Sequence, residues 1–472
     1  MSFFDSYLNN DDDLPADNHN IDEEIKRIKE IADNGNLYSS VESIEETLQY
    51  CLENERYDDG LFLSNKLVEI FPYNSEYWLK KGISLNGLFR FEEAMVCYTK
   101  SLSLNPWDSE ALIDKAAAEE NLGLYDQARE SLDNVLINDP RNEEALFSIG
   151  LLLQRQEKFD SAVKYFKRAV EIDPEYSEAY YELGYCYENL EQFENALDVY
   201  EKYILLEPYS ANGYYNRGII YVKLNMLEKA VDSYELALAV KDNFASAWFN
   251  KGNALADLGK FPQAIDSFKE ALKLDSTDES CCFNIGNIYE ELGDLANAVK
   301  FYTDAIKIND LYYEAFLSRG FCYDTLGKYH LALKDFNKAI SLSQDCAEAW
   351  YAKADLEYSL GQLQAAVESY TAALKIEPEN FQVWFNLAET FFELGDYLES
   401  MNAYNQCIII NPEDAPSHYG KAKVNFILSR PKEAIECLKN AFSLDPEFKS
   451  EFEREYPEIK SSKLFKKLLG EI

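Results

Sequence analysis

The chain has 472 residues and a formal net charge of -40, from 85 acids against 45 bases. The apolar share of 47% excludes wholesale disorder, and the negative charge repels phosphate backbones, so a nucleic-acid partner is disfavoured. The sequence contains no apolar run of about 18 residues that would span a bilayer.

From the N-terminus, residues 1–20 are polar and acidic and read as a disordered tail. The start, MSFFDSYLNN, has neither the basic opening nor the apolar core of a secretory leader, so a soluble cytoplasmic chain is expected. Within it, SFFDSYL (Ser2–Leu8) is either a frayed end or a short segment that docks on a partner or on the chain itself. Residues 21–40 follow as a capping helix and linker: Ile21, Ile25, Ile28 and Ile31 share one helical stripe.

From Val41 a 34-residue period runs through twelve blocks to Phe448 without insertion or deletion. The eighth position is small in every block but the first: Gly82, Ala116, Gly150, Gly184, Gly218, Gly252, Gly286, Gly320, Ala354, Ala388 and Ala422. The twentieth is Ala in ten blocks, and the twenty-fourth is usually Tyr or Phe, as in Tyr98, Tyr200, Phe268, Tyr302 and Tyr404. Pro closes eight blocks at the thirty-second position. Apolar or small residues at positions 4, 7, 8 and 11 fall on one helical face, and positions 20, 24 and 27 mark a second helix. Six blocks carry Leu-Gly between them, where Gly can adopt the left-handed conformation that ends a helix. Each block is therefore a helical hairpin. One hairpin cannot bury its own apolar face, so neighbours must stack. Beyond the last block, residues 449–472 read as capping helices; KLFKKLL (Lys463–Leu469) is a solubilising cap or a docking helix.

This period and these columns resemble the tetratricopeptide repeat over residues 41–448. The resemblance implies an all-α fold: tandem helix-turn-helix repeats wound into a right-handed superhelical solenoid. It also implies that positions 2, 5, 6, 9, 12 and 13 of each first helix line a concave groove that carries ligand contacts. Those positions fall between about 80° and 200° from the packing face.

On that face, position 5 forms an aromatic stripe that includes Phe147, Tyr181, Tyr215, Phe249, Phe283, Tyr351, Phe385 and Tyr419. The stripe is either an amphipathic binding wall or packing against the next hairpin. Position 2 is Glu in seven blocks, which helix capping and the helix dipole explain. Positions 2, 5, 9, 12 and 13 together hold eighteen acids, among them Asp257 and Glu290, against three bases (Arg155, Lys223 and Lys423). A groove so lined is negative. It lacks the Lys and Arg of the carboxylate clamp in tetratricopeptide chaperone adaptors, since position 5 holds no base.

Position 6 holds Asn216, Asn250, Asn284 and Asn386, and position 9 holds Asn253 and Asn287. An amide offers a donor and an acceptor, so it can pair with a peptide backbone whatever the sequence. The arrangement is similar to the asparagine ladder in the repeat domain of O-GlcNAc transferases. Repeat consensus is the other reading of N-x-x-N.

The nine cysteines show no C-x-x-C pair, so reduced packing thiols are expected, with Cys281-Cys282 the one cluster in which redox or metal chemistry is the alternative. The three histidines lie in unrelated contexts. No glycine phosphate loop, H-E-x-x-H or serine elbow occurs, and the segments outside the blocks are shorter than a catalytic domain. The expectation is a non-enzymatic scaffold without metal or cofactor that binds an extended, basic or neutral protein segment. A structural subunit that self-associates through the opposite face, or a regulatory subunit for a separate enzyme chain, is the alternative.

Overall fold

The computed structural model describes residues 18–33 and 37–456. SFFDSYL, KLFKKLL and the expected tail up to residue 17 lie outside the described residues. The first helix begins at Asn18, ahead of the expected Ile21, and runs to Asp33. A single 3-10 turn, Leu37–Ser40, then leads into the repeats.

Twelve helical hairpins follow, from Val41–Glu53 with Tyr57–Ile70 to Ala415–Ile427 with Pro431–Leu444. A short helix, Glu447–Glu455, closes the described chain and buries Phe452 beside Phe442 and Tyr419. At the other end, Ile25 and Ile28 of the first helix pack on Ile44, Leu48 and Leu67 of repeat one. Among the described residues there is no strand, and no helix is long and apolar enough to cross a membrane.

The chain divides into two compact units, Met1–Lys241 and Asp242–Ile472. The first holds repeats one to six and the second repeats seven to twelve. Within each unit every second helix packs on the first helix of the same repeat and on that of the next. In most neighbouring pairs the first helices also approach each other, as Ser75–Gly87 approaches Ser109–Asn121. The first helices thus form one layer of each unit and the second helices the other.

The core lies between the two layers, and the column residues build it. A Cβ on Gly252 would come within 2.7 Å of the Phe268 ring, and one on Gly286 within 2.6 Å of the Tyr302 ring. The missing side chain at position 8 is therefore the socket for the aromatic at position 24. The Tyr and Phe side chains of that column are fully buried, each contributing about 2 kcal/mol or more of apolar burial.

Each hairpin turn places its fifteenth residue in the left-handed region. In six repeats this is the glycine of Leu-Gly, with φ between 69° and 84° at Gly123, Gly259, Gly293, Gly327, Gly361 and Gly395. In the other six it is Glu55, Phe89, Glu157, Glu191, Asn225 or Ser429, with φ between 55° and 58°.

Two features tie repeat to repeat. The side chain of the thirty-fourth residue caps the next first helix at Asn74, Asp108, Asn142, Ser210, Asp278, Asn380 and Asp414, each accepting from a backbone N–H. The capping expected of the position-2 glutamates thus belongs to this column; the glutamates sit in the first turn and complement the helix dipole. Position 4 also donates back to the carbonyl six residues earlier: the indoles of Trp78, Trp248, Trp350 and Trp384 reach Pro72, Asp242, Gln344 and Pro378 at 2.8–3.3 Å.

Candidate functional site

The outer face of each first helix carries the residues expected to bind. Seven of the eight position-5 aromatics are half-buried, and each of the seven lies against the position-24 ring of its own repeat. Ring centroids stand 6.1 Å apart for Tyr181–Tyr200, 5.9 Å for Tyr215–Tyr234 and 5.6 Å for Phe249–Phe268. The same contact measures 5.6 Å for Phe283–Tyr302, 6.2 Å for Tyr351–Tyr370 and 6.0 Å for Phe385–Tyr404. Packing therefore accounts for one side of the stripe, and only the other side faces outward. Tyr419 is buried outright, with its hydroxyl 2.8 Å from Glu455 of the closing helix.

The polar positions engage one another across neighbouring repeats. Asn284 Nδ2 donates to Asn253 Oδ1 of the preceding repeat at 2.9 Å. Asn386 Nδ2 donates to the Tyr351 hydroxyl at 3.2 Å and to Asp355 at 3.0 Å, while its own Oδ1 accepts from Gln382. In repeat eight the Tyr302 hydroxyl joins Asn287 (2.8 Å) to Glu290 (2.5 Å). Asn216 reaches the Tyr200 hydroxyl at 3.5 Å. Asn250 is half-buried at the equivalent place in repeat seven, and Asp257 is exposed.

Sequence reasoning missed Asp355 and Glu389, which accept from the hydroxyls of Tyr370 and Tyr404 as Asn287 does from Tyr302. The signal was present: positions 9 and 24 lie 15 residues apart, and a tyrosine at one recurs with an acceptor at the other.

Models described as tetratricopeptide repeat match residues 75–106, 113–177, 148–212, 211–244, 245–278, 279–310, 313–346, 381–414 and 415–448, and one described as TPR repeat matches 354–395. Together they span well over half of the chain. The chain belongs to the tetratricopeptide repeat family. No curated protein matches the sequence. Among solved structures, MamA is similar at 23% identity over 36% of this chain and 92% of that one, with a TM-score of 0.35. YrrB, titled a TPR protein with an unusual peptide-binding site, is 26% identical over 40% of this chain and 97% of that one (TM-score 0.35). A tetratricopeptide repeat protein from Parabacteroides merdae is 20% identical over 55% of this chain and 97% of that one (TM-score 0.38).

The electrostatics of this tetratricopeptide face follow from its acids. Burial raises the pKa of Glu120, Glu182 and Glu188, and burial together with Asp355 raises that of Asp324. Two of the three bases are already engaged: Arg155 pairs with Glu120 at 3.1 Å, and Lys423 lies 4.8 Å from the Tyr419 ring centre. At positions 2, 5, 9, 12 and 13 acids outnumber bases, and two of those bases are engaged.

Cys281 and Cys282 are buried. Burial and Asp278 raise the Cys281 thiol, and burial raises Cys282 to about 11. Both shifts disfavour the thiolate that redox or metal chemistry requires. Among the described residues no group of three ligating side chains is placed to hold a metal.

Proposed function

We propose that this tetratricopeptide scaffold is a non-enzymatic binding protein that holds an extended segment of a partner protein along its first-helix face. The observation that carries the reading is the Asn284–Asn253 pair. One bond between the two amides orients both, and it leaves the Asn253 nitrogen and the Asn284 oxygen as a donor and an acceptor of fixed spacing. A peptide unit offers the complementary acceptor and donor, and pre-orientation lowers the entropy cost of meeting it. The half-exposed rings of Tyr181, Tyr215, Phe249, Phe283, Tyr351 and Phe385 supply apolar contact beside the amides. The surplus of acids selects basic or neutral segments and repels nucleic acid.

The test is binding of arrayed extended peptides to the full chain. Asn253→Ala combined with Asn284→Ala should weaken the best binders about tenfold or more while the helical signal stays constant. Raising the salt should weaken basic peptides more than neutral ones. Unchanged affinity in the double variant would remove the asparagines from the reading.

A second reading, self-association, is favoured by one feature. Leu205 (81% exposed), in the last turn of the second helix of repeat five, and Tyr209 (88% exposed), in the turn that follows, are both open to solvent. Concentration-dependent light scattering that Leu205→Lys abolishes would favour it.

A further inference from the structure

Tyr98 rises from the second helix of repeat two (Phe91–Leu104) into the socket left by Gly82, where a Cβ would come within 2.5 Å of its ring. The residue is fully buried, and its hydroxyl meets no hydrogen-bond partner. Two further buried oxygens share that state: Oδ1 of Asn86, on the first helix of repeat two, and Oδ2 of Asp114, on the first helix of repeat three.

The repeat frame brings these three side chains to one junction. Asn86 and Asp114 occupy the positions that Gln154 and Glu182 occupy at the junction of repeats four and five, where the two are bonded at 2.7 Å. Tyr98 and Asp114 occupy those of Tyr200 and Asn216, in contact at 3.5 Å. Gln154 keeps a buried oxygen without a partner as Asn86 does, and the junction of repeats two and three differs in leaving the Tyr98 hydroxyl and an Asp114 oxygen unpartnered as well.

The groups that act on the Asp114 carboxyl are acids. Burial, with Glu110, Glu144 and Asp108 nearby, raises Asp114 from 3.8 to about 7. The neighbouring lysines are engaged elsewhere: Lys80 with Glu76 at 3.0 Å and Lys115 with Glu119 at 3.1 Å. A buried acceptor without a donor costs free energy, and a buried carboxylate without a cation costs more. A group that supplies donors and positive charge together removes both costs. An ammonium has three donors and no acceptor, and the repeat frame offers it three oxygens at this junction.

We propose that Asn86, Tyr98 and Asp114 form a pocket for one primary ammonium group, the lysine side chain of a bound protein segment. The proposal rests on the groove reading above and fixes where in the first unit such a segment is anchored. The acids near Asp114 draw the cation in, and the three oxygens hold it.

The test is an NMR titration of the full chain, labelled at the tyrosine ring carbons, with the Tyr98 signal assigned through Tyr98→Phe. The probes are N-acetyl-lysine methylamide, its norleucine analogue and its arginine analogue. The lysine amide should shift the Tyr98 signal saturably and the norleucine amide should not. Asp114→Asn, which preserves shape, should weaken the lysine amide at least tenfold. No shift with the lysine amide, an equal shift with norleucine, or unchanged affinity in Asp114→Asn overturns the pocket. Tighter binding of the arginine amide overturns the ammonium assignment. Unchanged peptide affinity in the asparagine double variant, with the lysine response kept, would strike the groove reading and leave the pocket standing.

Discussion

The two compact units share one 34-residue frame and fill it differently. At the hairpin turn, five of the six repeats in the second unit place glycine in the left-handed position, whereas five of the six in the first unit place Glu55, Phe89, Glu157, Glu191 or Asn225 there. At the junctions between repeats, the second unit pairs Asn284 with Asn253 and Asn386 with Asp355, while the first pairs Gln154 with Glu182 but leaves an oxygen each of Asn86, Tyr98 and Asp114 unpartnered. The second unit departs from local rules less often, at the Ser429 turn and the unpartnered Ser417 hydroxyl. The first departs from local rules, and such departures gather where a protein has another use for the residue.

Four substitution pairs break or sharpen this contrast. Hydrogen exchange by mass spectrometry suits them, because a long repeat array need not unfold as one two-state unit and exchange reads each unit separately. The largest effect should be shared. Gly82→Val and Gly286→Val both drive a side chain into the ring at position 24 and should each lower local protection by about 3 kcal/mol or more.

The next pair should differ in sign. Asp114→Asn removes a buried, uncompensated carboxylate and should raise protection around repeats two and three by about 1–3 kcal/mol at pH 8. Asp355→Asn weakens the acceptor of Tyr370 and Asn386 and should lower it by about 1–2 kcal/mol. Linkage gives the first a pH signature. Folding raises the pKa of Asp114, so the folded state holds its proton at higher pH than the unfolded chain. The stability contributed by that proton is full near pH 3.8 and is lost as the pH rises through about 7. Asp114→Asn should flatten that slope.

Smaller again, Tyr302→Phe gives up bonds to Asn287 and Glu290 and should cost about 1 kcal/mol, whereas Tyr98→Phe removes an unpartnered hydroxyl and should be neutral or stabilising. Smallest, Glu157→Gly relieves a left-handed residue and should gain a few tenths of a kcal/mol, and Gly293→Ala should lose about 1 kcal/mol.

Most of the fold was legible in the sequence because its causes are local and repeated. Gly252 and Phe268 reveal each other through a constant spacing, and Leu-Gly marks a turn that the backbone takes. The turns at Glu157 and Glu191 were not legible, since neighbouring helices impose a conformation that the residue itself disfavours. On the first-helix face, the asparagines were found by position, but their bonding to one another was not. Asn284 meets Asn253 across 31 residues, and which amide end faces which is settled only when two repeats stack. The aromatic stripe at position 5 read as a wall and is half packing, because the large ring at position 24 stands behind it. Asp114 and Tyr98 gave no sign in the sequence: a missing partner is visible only against Glu182, which Gln154 meets, and Tyr200, which Asn216 meets.

The central claim is that the first-helix face binds an extended, lysine-bearing protein segment. The most direct measurement compares the affinity of the best extended peptide from an array for the unaltered chain, for Asn253→Ala with Asn284→Ala, and for Asp114→Asn, at low and at high salt. The account predicts about a tenfold or greater loss in each variant, and a salt dependence that Asp114→Asn reduces. Equal affinity in all three proteins at both salt concentrations would contradict it.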